Sequence, residues 1–329
     1  MAKKILIIQT AFPGDVILAT ALPESLRQSD PGITIDFLVR KGNEHILEHN
    51  PHLRNVLVFD KKKNKLSQLL HLIRRIRSEK YDAVINVQRF ASSGILTAFS
   101  GARDRIGFDK NPFSFLFDRK IKHDMNSGKH ETERNQELIA HLAGNKPAKP
   151  RLYPGKDDEQ KTISLKSNPY ICIAPGSVWF TKTFPAAQWI SFIKYYHQQF
   201  PQTKIYLLGS PAETSLCEQI ANALPEGNIQ NLAGKLSILQ SASLMRDAQM
   251  NFSNDSAPTH MASAMNAPVT VVFCSTIPAF GFGPLSDKKH LVETTVTLSC
   301  RPCGIHGFKS CPQGHFRCAT TITSEQFLT

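Results

Sequence analysis

Short apolar runs alternate with amphipathic stretches along most of the chain, and that alternation predicts strands alternating with helices. The first run, Lys4 to Gln9, reads as a strand buried on both faces. Thr10 to Asp15 is a turn, and Val16 to Gln28 reads as a helix. Strands over Thr34 to Val39, Asn55 to Phe59 and Ala83 to Val87 follow, with helices over Glu44 to His49 and Leu66 to Ser78 between them. Residues 145–168 are proline-rich, charged and aperiodic, which marks a domain boundary. The expected domains are 1–150 and 151–329.

The pattern then restarts. A strand over Tyr170 to Ala174 leads into Pro175-Gly176-Ser177, and Pro185 opens a helix carrying Trp189, Ile190, Phe192 and Ile193 at helical spacing. A strand over Lys204 to Leu208 precedes Gly209-Ser210 and a helix with Glu213 in its opening turn, and Asn231 to Ser237 is a loop before a helix over Ile238 to Arg246. The stretch Asn254-Asp255-Ser256-Ala257-Pro258-Thr259-His260 follows one apolar run and precedes another, Val269 to Phe273, so it reads as strand end, turn and helix start. Two doubly wound parallel sheets are expected, with functional groups in the loops after the strands.

Those loops are polar. In the Asn254 stretch, Pro258 suits a first helical turn, and the amides of Ser256 and Ala257 before it are available to an anion. An ordinary junction with Asp255 as cap fits the spacing equally well. Asp15 falls at the end of the first strand beside a helix start, and Lys182 lies just ahead of the helix opened by Pro185, where an ammonium beside free amides would grip a phosphate, set against the commoner reading of an exposed loop lysine. Arg89, Arg103 and Arg105 are the best-placed anion contacts of the first half, while His123, Lys129, His130 and Arg134 lie in the polar, basic segment that follows. No G-x-G-x-x-G fingerprint is present. If the carboxyl edges of the two sheets face each other, these groups line one cleft.

The formal net charge of +12 over 329 residues points to a polyanionic partner, a nucleic acid, an anionic membrane face or a phosphorylated substrate, set against a merely soluble basic surface. No basic patch interleaved with aromatics and no nucleic-acid motif stands out, which argues against the first. The start of the chain is too short and too soon polar for a signal peptide, and no run is long enough to span a bilayer, so a cytoplasmic location is expected. Cys300, Cys303, Cys311 and Cys318, with His306 and His315 between them, have ligand types that suit a structural zinc, set against a reduced surface loop or a disulfide formed on oxidation.

Gly14-Asp15-Val16, Thr181-Lys182-Thr183-Phe184-Pro185, Gly209-Ser210 and Asn254 to His260 occur in this order, and with them the chain resembles the ADP-heptose:lipopolysaccharide heptosyltransferases, closest to the heptosyltransferase II branch. The likeness runs from Ile5 to about Ser286. It implies a GT-B fold, two Rossmann-like domains facing across a cleft, the first binding acceptor and the second nucleotide sugar. It also implies inverting transfer of heptose from ADP-heptose to the inner core of lipopolysaccharide on the inner face of the membrane, with no catalytic metal. By that resemblance Asp15 is the general base and Lys182 holds the donor phosphates. Glu213 binds ribose, Leu236 and Ser237 lie against adenine, and Asp255, Ser256, Ala257 and His260 cradle the diphosphate and sugar. Gly176, Ser177, Thr181 and Gly209 complete the expected donor site, and Gly14 joins Arg89, Arg103 and Arg105 on the acceptor side. The family usually carries glycine and then a hydrophobic residue where Ala257-Pro258 stand. Two rival readings remain: transfer of another sugar, and a non-catalytic protein of the same fold holding a nucleotide or anionic glycan.

Overall fold

The computed structural model describes residues 3–61, 64–225 and 228–328. The chain forms two compact units, Met1–Tyr153 and Pro154–Thr329. In the first, β1 (Lys4–Ile8), β2 (Thr34–Arg40), β3 (Leu53–Phe59), β4 (Ala83–Asn86), β5 (Asp104–Phe108) and β6 (Arg119–Ile121) make one sheet in the order β3-β2-β1-β4-β5-β6, every pair parallel. Its helices are α1 (Pro13–Ala19), α2 (Ala21–Ser29), α3 (Lys65–Glu79), α4 (Ala91–Ala98), α5 (Glu131–Glu137) and α6 (Ala140–Ala143). Ile5, Leu6, Ile7 and Ile8 are fully buried, because a parallel sheet covered on both faces leaves its central strand no solvent side.

The second unit repeats the plan. Strands β7 (Tyr170–Ala174), β8 (Lys204–Leu207), β9 (Ile229–Asn231), β10 (Met250–Asn254), β11 (Val269–Phe273) and β12 (Lys289–Glu293) lie in the order β12-β11-β10-β7-β8-β9, again all parallel. Helices α7 (Lys156–Thr162), α8 (Ala186–Gln199), α9 (Thr214–Asn222), α10 (Ile238–Arg246), α11 (Ala257–Ala264) and α12 (Arg317–Thr320) accompany them. Both orders are that of the doubly wound nucleotide-binding sheet, with the winding reversed between β1 and β4 and between β7 and β10. The core of this unit is aromatic: Phe184, Trp189, Phe192 and Phe252 gather round Phe327, which lies 4.5 Å from Phe192 between ring centroids.

Several local expectations are corrected. The helix expected over Val16 to Gln28 is two helices that break at Thr20, whose hydroxyl donates to the Ile17 carbonyl at 2.6 Å and accepts from the Arg151 amide at 2.9 Å. Glu44–Leu47 is a single 3₁₀ turn. Residues 104–108 form a strand at the position read as loop. Within the aperiodic stretch 145–168 lies α7, polar because it docks through polar groups. The Thr162 hydroxyl lies 3.1 Å from that of Ser243, and Arg246 on α10 donates to Glu159 at 2.7 Å.

Candidate functional site

In a doubly wound sheet, ligands bind outside the carboxyl ends of the strands at the reversal point. In the second unit that point lies between Pro175-Gly176 after β7 and Asn254-Asp255 at the end of β10. Asn254 is fully buried and joins the loops. Its amide donates to the carbonyls of Pro175 at 2.7 Å and Gly176 at 3.1 Å, and its carbonyl accepts from the Phe184 amide at 2.9 Å. It is absent from the residues implied by the family likeness, although a buried asparagine at a strand end between two polar turns was a signal for it.

Phe184 closes the turn that carries Lys182, so Asn254 also fixes where Lys182 starts. The Lys182 ammonium lies 2.7 Å from Asp255 Oδ2, and the same oxygen accepts from the Thr276 hydroxyl at 2.7 Å. The pair is largely buried, with 15% of the lysine side chain and 6% of the aspartate side chain exposed. Beside it Ser256 is the extended N-cap of α11, with Ala257 and Pro258 in the first turn, so positive helix-end amides and an ammonium converge. His260 is buried one turn further in.

Glu213 lies across the same edge. The amide and hydroxyl of Ser210 donate to its Oε2 at 2.7 and 2.8 Å. A Cβ on residue 176 would stand 1.9 Å from its Oε1, and one on residue 209 would stand 3.0 Å from its Cβ, so Gly176 and Gly209 are glycines because the glutamate occupies that space. The Gly234 amide donates to the Gly209 carbonyl at 2.9 Å, which brings the loop holding Leu236 alongside. Ser237 caps α10, its hydroxyl accepting from the Gln240 amide at 3.1 Å. Thr181 is buried, while Ser177 is half-buried.

The reversal point of the first unit carries a second polar group. Asp15 sits in the first turn of α1 and accepts from the Phe12 amide at 3.2 Å, and Gly14 precedes it in that turn. A layer of Gln9, Asn86, Gln88 and Asn111 lies under the loops: the Asn111 amide donates to the carbonyls of Gln88 at 3.0 Å and Phe90 at 3.1 Å. On α5, the buried Arg134 binds Glu131 at 2.8 and 2.9 Å. Burial pushes the Glu131 carboxyl up to about 7 against the pull of Arg134, and the charge of Asp15 adds to the rise. Burial, with Arg89 and Arg134 nearby, pushes His123 down to about 4. Asp15, Arg89, His123, Glu131 and Arg134 are thus one electrostatic group, of which Glu131 is missing from the sequence reading.

Arg103 and Arg105 do not belong to it. They flank the start of β5, at the amino edge of the sheet and opposite Asp15. Arg103 is 3.8 Å from Asp82, and Arg105 binds Asp118 at 2.8 and 2.9 Å. They were expected in a polar loop following a helix; they do follow α4, but Arg105 lies within β5 and Arg103 immediately before it.

Of the candidate zinc ligands, Cys300, Cys303 and Cys311 are partly exposed and Cys318 is buried in α12, all as free thiols. Burial, then the neighbouring thiols, raises Cys303 and takes Cys318 up to about 11. His315 Nε2 lies 3.9 Å from Cys300 Sγ. Among the described residues no three histidine, cysteine or acidic side chains are gathered as a metal set.

Two doubly wound sheets with an ammonium, helix-end amides and a carboxylate at one reversal point and a half-buried aspartate at the other define a nucleotide-dependent α/β enzyme. The chain belongs to glycosyltransferase family 9 (heptosyltransferase), whose model matches residues 69–306, and it is a glycosyltransferase of the GT-B fold. It is 26% identical over 312 residues to lipopolysaccharide heptosyltransferase 1 of Campylobacter coli, covering 88% of this chain and 89% of that one. The structure of the ADP-heptose lipopolysaccharide heptosyltransferase II of Escherichia coli is similar with a TM-score of 0.80 at 21% identity, over 99% of this chain and 96% of that one. A family 9 glycosyltransferase from Veillonella parvula gives 0.86 at 20% identity, over 99% and 95%.

Proposed function

We propose that this enzyme transfers heptose from ADP-heptose to a sugar hydroxyl of the lipopolysaccharide inner core, with inversion, the first unit binding acceptor and the second donor. The observation that carries the reading is the Lys182–Asp255 pair beside the start of α11, since a diphosphate is the ligand that an ammonium and helix amides bind together. In the reaction the acceptor oxygen attacks the anomeric carbon, the bond from that carbon to the diphosphate oxygen breaks, and Asp15 takes the hydroxyl proton. Charge gathers on the departing diphosphate, where Lys182 and the amides of Ser256 and Ala257 stabilise it. Glu213, anchored through Oε2, presents its other oxygen to a ribose hydroxyl. Because an aspartate is a weak base, its use comes late, as the sugar approaches an oxocarbenium-like transition state.

The acceptor is lipid-linked, and we place the enzyme at the inner face of the membrane. Two features support this: the net charge of +12, and α3, which exposes Leu66 and Leu70 ahead of Arg74, Arg75 and Arg77. No helix among the described residues is long and apolar enough to cross a membrane. The deciding experiment is incubation with ADP-heptose and heptose-free core lipopolysaccharide, read by product mass. One added heptose is expected; failure with every core acceptor, alongside turnover of another nucleotide sugar, would replace the donor.

A further inference from the structure

The cysteine-bearing segment lies outside the proposed chemistry, yet it braces the loops of the donor-phosphate pair from two sides, through its backbone on one and through Arg301 on the other. On the Lys182 side, the Thr181 amide donates to the Phe308 carbonyl at 3.1 Å, and the Phe308 amide donates to the Thr181 hydroxyl oxygen at 2.7 Å. Ser275 completes the junction: its hydroxyl donates to Thr181 Oγ1 at 3.0 Å and its carbonyl accepts from the Cys303 amide at 3.0 Å. Between these contacts sits Gly307, in the left-handed region at φ +75°. A Cβ there would stand 2.9 Å from Thr181 Oγ1, 3.0 Å from Lys182 Cγ and 3.3 Å from Trp179 Cβ. The stem of Lys182 therefore rests on a position of the segment that has no side chain.

On the Asp255 side, Arg301 donates to the carbonyls of Cys274 at 2.7 Å, Phe273 at 3.1 Å and Thr276 at 2.7 Å, and is itself held by Glu293. Thr276 is the residue whose hydroxyl binds Asp255. A guanidinium spanning three carbonyls fixes that turn in a way a single ammonium does not.

We propose that Arg301 to Phe308 is a positioning strap: Gly307 sets where the Lys182 ammonium stands, and Arg301 sets the turn that holds its partner. The strap touches no reacting atom and acts through Lys182. The inference rests on the reading of Lys182 as the diphosphate ligand. It predicts that donor affinity depends on a segment with no contact to the nucleotide of its own.

The test uses the full chain and calorimetric titration with ADP and with adenosine, which lacks the diphosphate. Gly307→Ala is expected to weaken ADP about tenfold and leave adenosine unchanged. Gly314→Ala is the control, since Gly314 has φ +72° but nothing within 4 Å of its Cβ, and it should bind ADP as the native protein does. Wild-type ADP affinity in Gly307→Ala overturns the strap, as does an equal loss in both variants or an equal loss of adenosine. Lys182→Ala is measured alongside: unchanged ADP binding there removes the reading of Lys182, whereas weakened binding there with native binding in Gly307→Ala removes the strap alone. If Gly307→Ala does not fold, Arg301→Lys takes its place, with the same split between ADP and adenosine expected and its absence overturning the proposal.

Discussion

The ammonium of Lys182 is held by Asp255 at 2.7 Å in a place where little of either side chain meets water. A diphosphate arriving there exchanges one anionic partner for another, so the aspartate keeps the lysine in place before the donor binds. Asp255→Asn leaves a mostly buried ammonium with a weaker partner and should cost about 2 kcal/mol of stability. ADP should then raise the melting temperature of the variant more than that of the native protein. A smaller ADP-induced rise in Asp255→Asn would show that the carboxylate serves the nucleotide directly.

Gly176 and Glu213 should behave as one unit. Gly176→Ala sets a methyl 1.9 Å from the present position of Glu213 Oε1 and must displace the carboxylate. Each single variant, Gly176→Ala and Glu213→Ala, is expected to weaken ADP roughly tenfold, in line with about 1.5 kcal/mol for a hydrogen bond to a charged group. In the double variant the glycine substitution should add almost nothing, and additive losses measured by calorimetry would contradict the coupling.

Asp15→Asn keeps the shape of the first turn of α1 and removes the base. Transfer should fall by roughly a thousandfold or more while ADP affinity stays native, consistent with the usual contribution of a positioned base together with a misplaced proton. Near-normal turnover of this variant would end the role assigned to Asp15.

Glu131 and His123 should give opposite dependences of stability on pH. His123 is pushed down to about 4, so its contribution is present above 6.5 and lost as pH falls through 4. Glu131 is pushed up to about 7, so its contribution is present below about 4.5 and lost as pH rises through 7. Each is worth about 3 kcal/mol at most, and between pH 4.5 and 6.5 they oppose each other. Glu131→Gln should therefore make acidification more damaging, and His123→Gln should make it less so. Thermal unfolding across pH 4 to 8 reads both slopes, and slopes of the same sign would contradict the assignment.

Exposed Leu66 and Leu70 should anchor the enzyme on anionic vesicles. The double variant Leu66→Ser/Leu70→Ser is expected to lower partitioning roughly a hundredfold, given about 1.5 kcal/mol for each buried leucine side chain. Raising salt should release the native protein as screening shortens. Sedimentation with phosphatidylglycerol vesicles reads both effects, and salt-independent adsorption would count against an electrostatic component.

The central strands were legible because burial on both faces forces unbroken apolar runs, as in Ile5 to Ile8 and Val269 to Phe273. The α11 turn was legible because Asn-Asp-Ser followed by Pro carries the chemistry of a helix start. The outlying strands were not: β6 has no buried residue and β9 is only half-buried, so neither leaves a hydrophobic signature. Helix α7 was hidden for the related reason that it docks through hydroxyls and charges. The order of the stretches that carry Lys182, Glu213 and Asp255 was readable by likeness, but the Lys182–Asp255 pair was not, since it depends on Asn254 tying the loop after β7 to the end of β10, far apart in sequence. Arg103 and Arg105 misled because composition cannot say which end of a strand an arginine occupies.

The family model ends at residue 306, whereas Phe327 is a central ring of the second unit's aromatic core. The stretch marked by ancestry is therefore shorter than the stretch needed for folding. A version trimmed to the recognisable motif would retain Lys182, Glu213 and Asp255 and yet lose the plug around which Phe184, Trp189 and Phe192 assemble. For this enzyme a convenient truncation is a misfolding mutation, and an affinity handle belongs at a distance from Phe327.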